Sequence, residues 1–132
     1  MRYFDSSALV KRYVRETGSV KVQRLLSSGP AATSRYSAVE IASALARRTL
    51  EGALLASDRE RALAVLREDM AALLVVELTD EVVTRAQALL LSHPLRGGDA
   101  VQLASCVHLR EQLGADVRLI AFWPFSAIAS RR

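Results

Sequence analysis

Residues 2–10 read Arg-Tyr-Phe-Asp-Ser-Ser-Ala-Leu-Val, and the fold turns on how this stretch divides. Arg2 to Asp5 has the makings of a short strand that ends on an acid. Ser6 or Ser7 can then cap a helix that begins with Ala8, Leu9 and Val10. A strand that feeds directly into a helix is the opening half of an alternating α/β unit, and the rest of the chain repeats the alternation. A helix follows from Ser19, with Val20, Val22, Leu25 and Leu26 apolar, and Gly29-Pro30 stops it. Ala31-Ala32-Thr33 is a second strand, and Ser34 or Ser37 opens a long helix whose Ala38, Ile41, Ala42 and Leu45 form one apolar stripe.

Gly52 interrupts, and Ser57-Asp58-Arg59-Glu60 reads as a capping box for a helix carrying Ala62, Leu63, Leu66 and Met70. Leu74 to Leu78 is a third strand. Thr79 caps a helix that Pro94 ends. Gly97-Gly98-Asp99 introduces another, which Gly114 closes. Val117 to Phe122 is a fourth strand, and Pro124 starts a final short helix. Strands separated by helices predict an α/β fold, a parallel β-sheet of about four strands flanked by helices on both faces. Nothing divides residues 1–132, so one domain is expected. In such sheets ligands bind outside the carboxyl ends of the strands.

Composition narrows the classes. Hydrophobic residues make up 51% of the 132 and charged residues 24%, which excludes a disordered chain. Aromatics are only 5%, so Ala, Leu and Val must build the core. The one cysteine, Cys106, allows neither an internal disulfide nor a Cys-rich zinc site, and a reduced, cytoplasmic protein is the expectation. No apolar run approaches the ~18 residues of a membrane span, and Asp5 breaks any signal-peptide pattern. The net charge of +4, carried mostly by arginine, suits a polyanionic partner such as nucleic acid. There is no Walker motif and no dinucleotide fingerprint. His93 and His108 are isolated and offer no metal-ligand spacing.

Three acids carry the candidate chemistry. Asp5 lies at the carboxyl end of the first strand among apolar neighbours, where it either caps a helix or serves a site. Asp99 follows two glycines at a helix start and carries the same two readings. Glu40 lies off the apolar stripe of its helix, either as a solvated surface residue or aimed at the strand ends. Were all three to converge, their repulsion would raise one another's pKa, and a hard divalent cation with oxygen-only ligands, Mg²⁺ or Mn²⁺, would relieve it. Such an ion activates water and neutralises charge on a phosphodiester.

Tyr3-Phe4-Asp5-Ser6-Ser7-Ala8-Leu9-Val10-Lys11 resembles the opening of PIN-domain ribonucleases of the VapC toxin type. Ser34-Arg35-Tyr36-Ser37-Ala38-Val39-Glu40-Ile41 is similar to the family's second motif, and Arg96-Gly97-Gly98-Asp99-Ala100-Val101-Gln102-Leu103-Ala104 to its third. The resemblance implies a PIN-like fold and a Mg²⁺- or Mn²⁺-dependent endoribonuclease acting on RNA. It further implies the toxin of a toxin–antitoxin pair, a homodimer held inactive by a VapB-type antitoxin. Asp5, Glu40 and Asp99 carry over as catalytic and metal-binding residues, and Ser7 as a hydroxyl beside the first acid. Arg12, Arg35, Arg47 and Arg96 are the arginines expected to hold the RNA backbone. The apolar stretch from Leu54/Leu55 to Met70 is a candidate partner surface, or ordinary packing.

One departure sets up the alternative. The family's fourth acid falls where this chain has Trp123, and its loss would leave a PIN-fold module that binds RNA or antitoxin without turnover. A phosphotransferase using Asp5 as nucleophile is a further alternative, but Ser7 stands where that chemistry wants a second acid.

Overall fold

Tyr3 and Phe4 are adjacent in β1 (Arg2–Phe4) and both fully buried, yet they belong to different hydrophobic clusters. Successive side chains of a strand point to opposite faces, so β1 must be covered on both sides. The computed structural model describes residues 1–122 and shows how. Among the described residues, β1, β2 (Ala31–Ser34), β3 (Leu74–Val76) and β4 (Arg118–Ile120) form one sheet in the order β3-β2-β1-β4, every pairing parallel. Tyr3 is in register with Ala32 on one side and Leu119 on the other.

Helices α1 (Ser6–Leu9), α2 (Ser19–Ser27), α3 (Arg35–Leu50) and α4 (Ala56–Ala72), with a 3-10 turn at Val10–Arg12, cover the Phe4 face. They contribute Leu9, Val22, Ile41, Leu45, Leu66 and Met70. Helices α5 (Asp80–Ser92) and α6 (Gly97–Leu113) cover the Tyr3 face with Val82, Ala86, Ala100, Ala104 and Leu109. Burying a side chain of the size of Phe4 or Leu9 stabilises the fold by about 1.5–3 kcal/mol each. The expected parallel sheet with helices on both faces is therefore the observed architecture.

The differences are local. β1 stops at Phe4 because Asp5 leaves the ladder to cap α1: its backbone is extended (φ −77°, ψ 176°) and its side chain accepts from the Ala8 N–H. β3 ends at Val76 rather than Leu78, where the Thr79 N–H turns back to the Glu77 carbonyl. The capping box expected at Ser57 is not formed. Leu54 is anchored on the core, the chain turns helical at Ala56 after Leu55, and Ser57 falls inside the first turn. Thr79 and Gly114 cap α5 and α6 as expected, Gly114 with a positive φ of 62°. The expected fourth strand is shorter, Arg118–Ile120. Trp123 and the expected helix from Pro124 lie outside the described residues.

The strand order positions the site. The chain runs from β1 outward through β2 to β3, then returns to place β4 on the far side of β1. Connections therefore diverge between β1 and β4, which opens a crevice at their carboxyl ends. Asp5 stands at that point, and its N–H bonds the Ile120 carbonyl at 3.2 Å.

Candidate active site

Asp5 is only 1% exposed. Its Oδ1 accepts from the Ser7 hydroxyl at 2.7 Å and from the Ala8 N–H at 3.0 Å. The cap and the site readings of Asp5 thus describe one geometry: the acid is fixed as the cap of α1 while lying at the strand ends. Burial raises its carboxyl from 3.8 to about 6, against the two hydrogen bonds, which pull it down; the negative charges of Glu40 and Asp99 push it further up. Three carboxylates drawn from β1, α3 and α6 are therefore within electrostatic reach of one another.

Glu40 is half-buried, not a solvated surface residue. It lies one position before Ile41 on α3, rotated off the core stripe. Its Oε1 accepts from the Ser6 hydroxyl at 3.0 Å and from the Gln102 side-chain amide at 2.8 Å. Its Oε2 lies against a glycine: a Cβ at position 98 would come within 2.7 Å of it, so any larger residue there would push the Glu40 carboxylate aside.

Asp99 is the third residue of α6, and Arg96, not Asp99, is the N-cap. The acid is in the first turn, where the positive end of the helix stabilises negative charge. Asp99 and Glu40 line one cleft of 490 Å³ together with Ser6, Ser7, Lys11, Arg47, Arg96 and Phe122. Ser7 does two jobs there, because its Oγ also accepts from the Phe122 N–H at 3.0 Å. That bond ties the segment after β4 to the first acid.

The structure brings Arg47 and Arg96 to the cleft and does not bring Arg12 or Arg35. Arg12 grips Asp69 with two hydrogen bonds of 2.5 and 3.1 Å, and Tyr13 donates to the same carboxylate at 2.6 Å. The guanidinium and the phenol hold Asp69 below the usual carboxylate range despite its partial burial. Arg35 is exposed and paired with Glu77 through bonds of 2.6–3.2 Å. The sequence offered Ser6 only as a helix cap, and Gln102 went unrecognised in it. Gln102 had a signal: it lies three residues after Asp99, on the same face of a helix.

Among the described residues, no three His, Cys, Asp or Glu side chains close into a ready-made metal cage. The donor set still fits a hard divalent cation. The three coupled groups are all carboxylates, and burial makes Asp5 harder to ionise in the bare protein than in water. The cysteine and His108 stand apart from this chemistry. Cys106 is buried, its thiol pushed up to about 11 by burial, and His108 lies 3.7 Å from Glu81 between α5 and α6.

Comparison with known proteins identifies the family and the fold. Residues 2–117 match the family model described as the PIN domain. The chain is 37% identical over 122 residues to Ribonuclease VapC45 of Mycobacterium tuberculosis (strain CDC 1551 / Oshkosh), covering 92% of this chain and 82% of that one. The same figures hold for Ribonuclease VapC49 of the H37Rv strain. The crystal structure of Mycobacterium tuberculosis VapC20, described as a sarcin-ricin loop cleaving toxin, superposes with a TM-score of 0.72 at 21% identity, covering 97% of this chain and 95% of that one. A toxin–antitoxin complex from Klebsiella pneumoniae gives 0.58 at 15% identity, covering 89% and 83%.

Proposed function

Since the chain belongs to the PIN-domain family, we propose that it is a metal-dependent endoribonuclease and the toxin of a toxin–antitoxin pair. The observation that carries the site is Asp5: a carboxylate almost wholly buried at the carboxyl end of β1, raised by burial and by the charges of Glu40 and Asp99. Asp5, Glu40 and Asp99 are the residues that would hold Mg²⁺ or Mn²⁺. When bound, such an ion supplies a water of lowered pKa and positive charge beside the phosphodiester.

The chain's own residues do the rest. The Ser7 hydroxyl and the Ala8 N–H fix the Asp5 carboxylate through Oδ1. Ser6 and Gln102 hold Oε1 of Glu40. Glycine at position 98 leaves room for Oε2. Arg47 and Arg96 on the cleft wall suit the backbone phosphates of an RNA strand, since guanidinium forks match phosphate oxygens. A VapB-type antitoxin as the inhibitory partner, a homodimer, and action on RNA in the cytoplasm complete the proposal. It is supported by family membership and by the toxins to which the chain is similar.

Cleavage of total RNA with Mg²⁺ or Mn²⁺, run beside Asp5→Asn, tests the reading. The wild type should cleave and the variant should not. Equal cleavage by both would reject it. Calorimetry with Mn²⁺ separates the nuclease from a module that only binds RNA: absence of ion binding favours the module.

A further inference from the structure

We infer that Gln102 is the positioning residue of the Glu40 carboxylate, and that Tyr3 sets the direction in which Gln102 faces. The inference rests on the nuclease reading for its consequence but not for its geometry.

Gln102 is buried to 2% exposure on α6, an unusual place for a primary amide unless both its ends are hydrogen-bonded. Both are. Nε2 donates to Glu40 Oε1 at 2.8 Å and to Ser37 Oγ at 3.0 Å, and Oε1 accepts from the Tyr3 hydroxyl at 2.6 Å. Ser37 in turn is 2.7 Å from Thr33 Oγ1, which is 2.7 Å from the Phe4 carbonyl. Thr33 has one hydroxyl hydrogen, and only a donor can satisfy the carbonyl. Thr33 therefore donates to Phe4, and Ser37 donates to Thr33. Every hydrogen has a single destination.

This inventory fixes the amide. Flipped, Gln102 would set its carbonyl oxygen against the Glu40 carboxylate, acceptor against acceptor. With Nε2 toward Glu40, the carbonyl end needs a donor on its other side, and Tyr3 supplies it from the sheet. Two helical pairs spaced by three residues, Ser37/Glu40 on α3 and Asp99/Gln102 on α6, thus face each other, and the amide joins them. Residues that hold a metal-binding carboxylate from behind typically contribute about 10–100-fold to ion affinity.

The test uses the whole chain with Gln102→Leu, Tyr3→Phe, Glu40→Gln and the Glu40→Gln/Gln102→Leu double variant. Without metal, the Gln102 side-chain amide protons, assigned in NMR by their loss in Gln102→Leu, should exchange slowly with solvent and shift in Glu40→Gln. Fast exchange, or no response to Glu40→Gln, overturns the inference. In Mn²⁺ calorimetry Gln102→Leu should weaken binding about tenfold and lower kcat with the KM for RNA unchanged. Tyr3→Phe, the milder change, should move both in the same direction by less than Gln102→Leu does. The double variant should bind Mn²⁺ no more weakly than Glu40→Gln alone; additive losses would overturn the inference. A wild type that binds no Mn²⁺ removes the nuclease reading instead, and the amide protons then decide the positioning role alone.

Discussion

Asp5→Asn should leave the metal-free protein more stable than the wild type, by a margin that grows with pH. Asparagine keeps an Oδ1 that accepts from Ser7 and Ala8, so the cap of α1 survives. What disappears is the buried negative charge. The Asp5 carboxyl, raised from 3.8 to about 6, binds its proton more tightly folded than unfolded. Its contribution to folding stability therefore falls as pH rises from about 3.8 to about 6, then stays level. Linkage gives a penalty of about 1–2 kcal/mol at pH 5 and about 3 kcal/mol at pH 8. The variant's advantage over wild type should then widen by about 1 kcal/mol between the two pH values, whatever the fixed offset between a neutral Asp and an Asn. Urea unfolding in EDTA at pH 5 and pH 8 measures it, with m-values checked for constancy. Adding Mg²⁺ at pH 8 should narrow the gap, because the ion stabilises only the carboxylate form. A margin independent of pH, or one that shrinks toward pH 8, would refute the reasoning. The same substitution abolishes cleavage under the proposed function, so a residue that costs stability in folding is one the chemistry needs.

Gly98→Ala should keep the fold, since alanine is the better helix former by about 1 kcal/mol, yet lose RNA cleavage and Mn²⁺ affinity, because the new Cβ displaces Glu40 Oε2; circular dichroism and calorimetry check the two halves. Arg96→Ala and Arg47→Ala should each weaken RNA binding and reduce the salt slope by about one, measured by binding across a salt series, while Arg12→Ala leaves the slope unchanged because Asp69 already holds that guanidinium. Asp69→Ala should destabilise by about 1–2 kcal/mol, at the low end because Arg12 is 32% exposed; as the Asp69 carboxyl is held low, this contribution is present above its unfolded pKa and lost as pH falls below it. Cys106, with its thiol near 11, should react sluggishly with thiol reagents at pH 8 and rapidly in urea.

The alternation of strands and helices was legible because it is written in periodicities: two in β1, where Tyr3 and Phe4 serve opposite faces, and 3.6 in α3, where Ile41 and Leu45 fall on one stripe. Asp5 was legible as a site candidate, since an acid ending a strand has few places to go. Glu40 was not. Its own helix offered no reason to bury it, and the reason comes from Gln102 and Ser6, which lie 62 and 34 residues away. Asp99 has every appearance of an N-cap in the sequence, and only the path of the chain through Arg96 moves it into the first turn. The arginines divide for the same cause: charge counts equally along a sequence, but Arg12 has Asp69 opposite it and Arg47 and Arg96 have the cleft.

The sequence alone therefore determined the layers and the parallel sheet, because hydrophobic burial and backbone geometry act over a few neighbouring residues, and it named the three acids as candidates through the motifs they share with the PIN family. Which acid is buried, which hydroxyl or amide holds it, and which cations face it were decided only by the tertiary structure. Those are questions of distance between segments remote in the chain. Hydrogen bonds and charges in a poorly solvated crevice depend on separations of a few ångströms that no local pattern encodes.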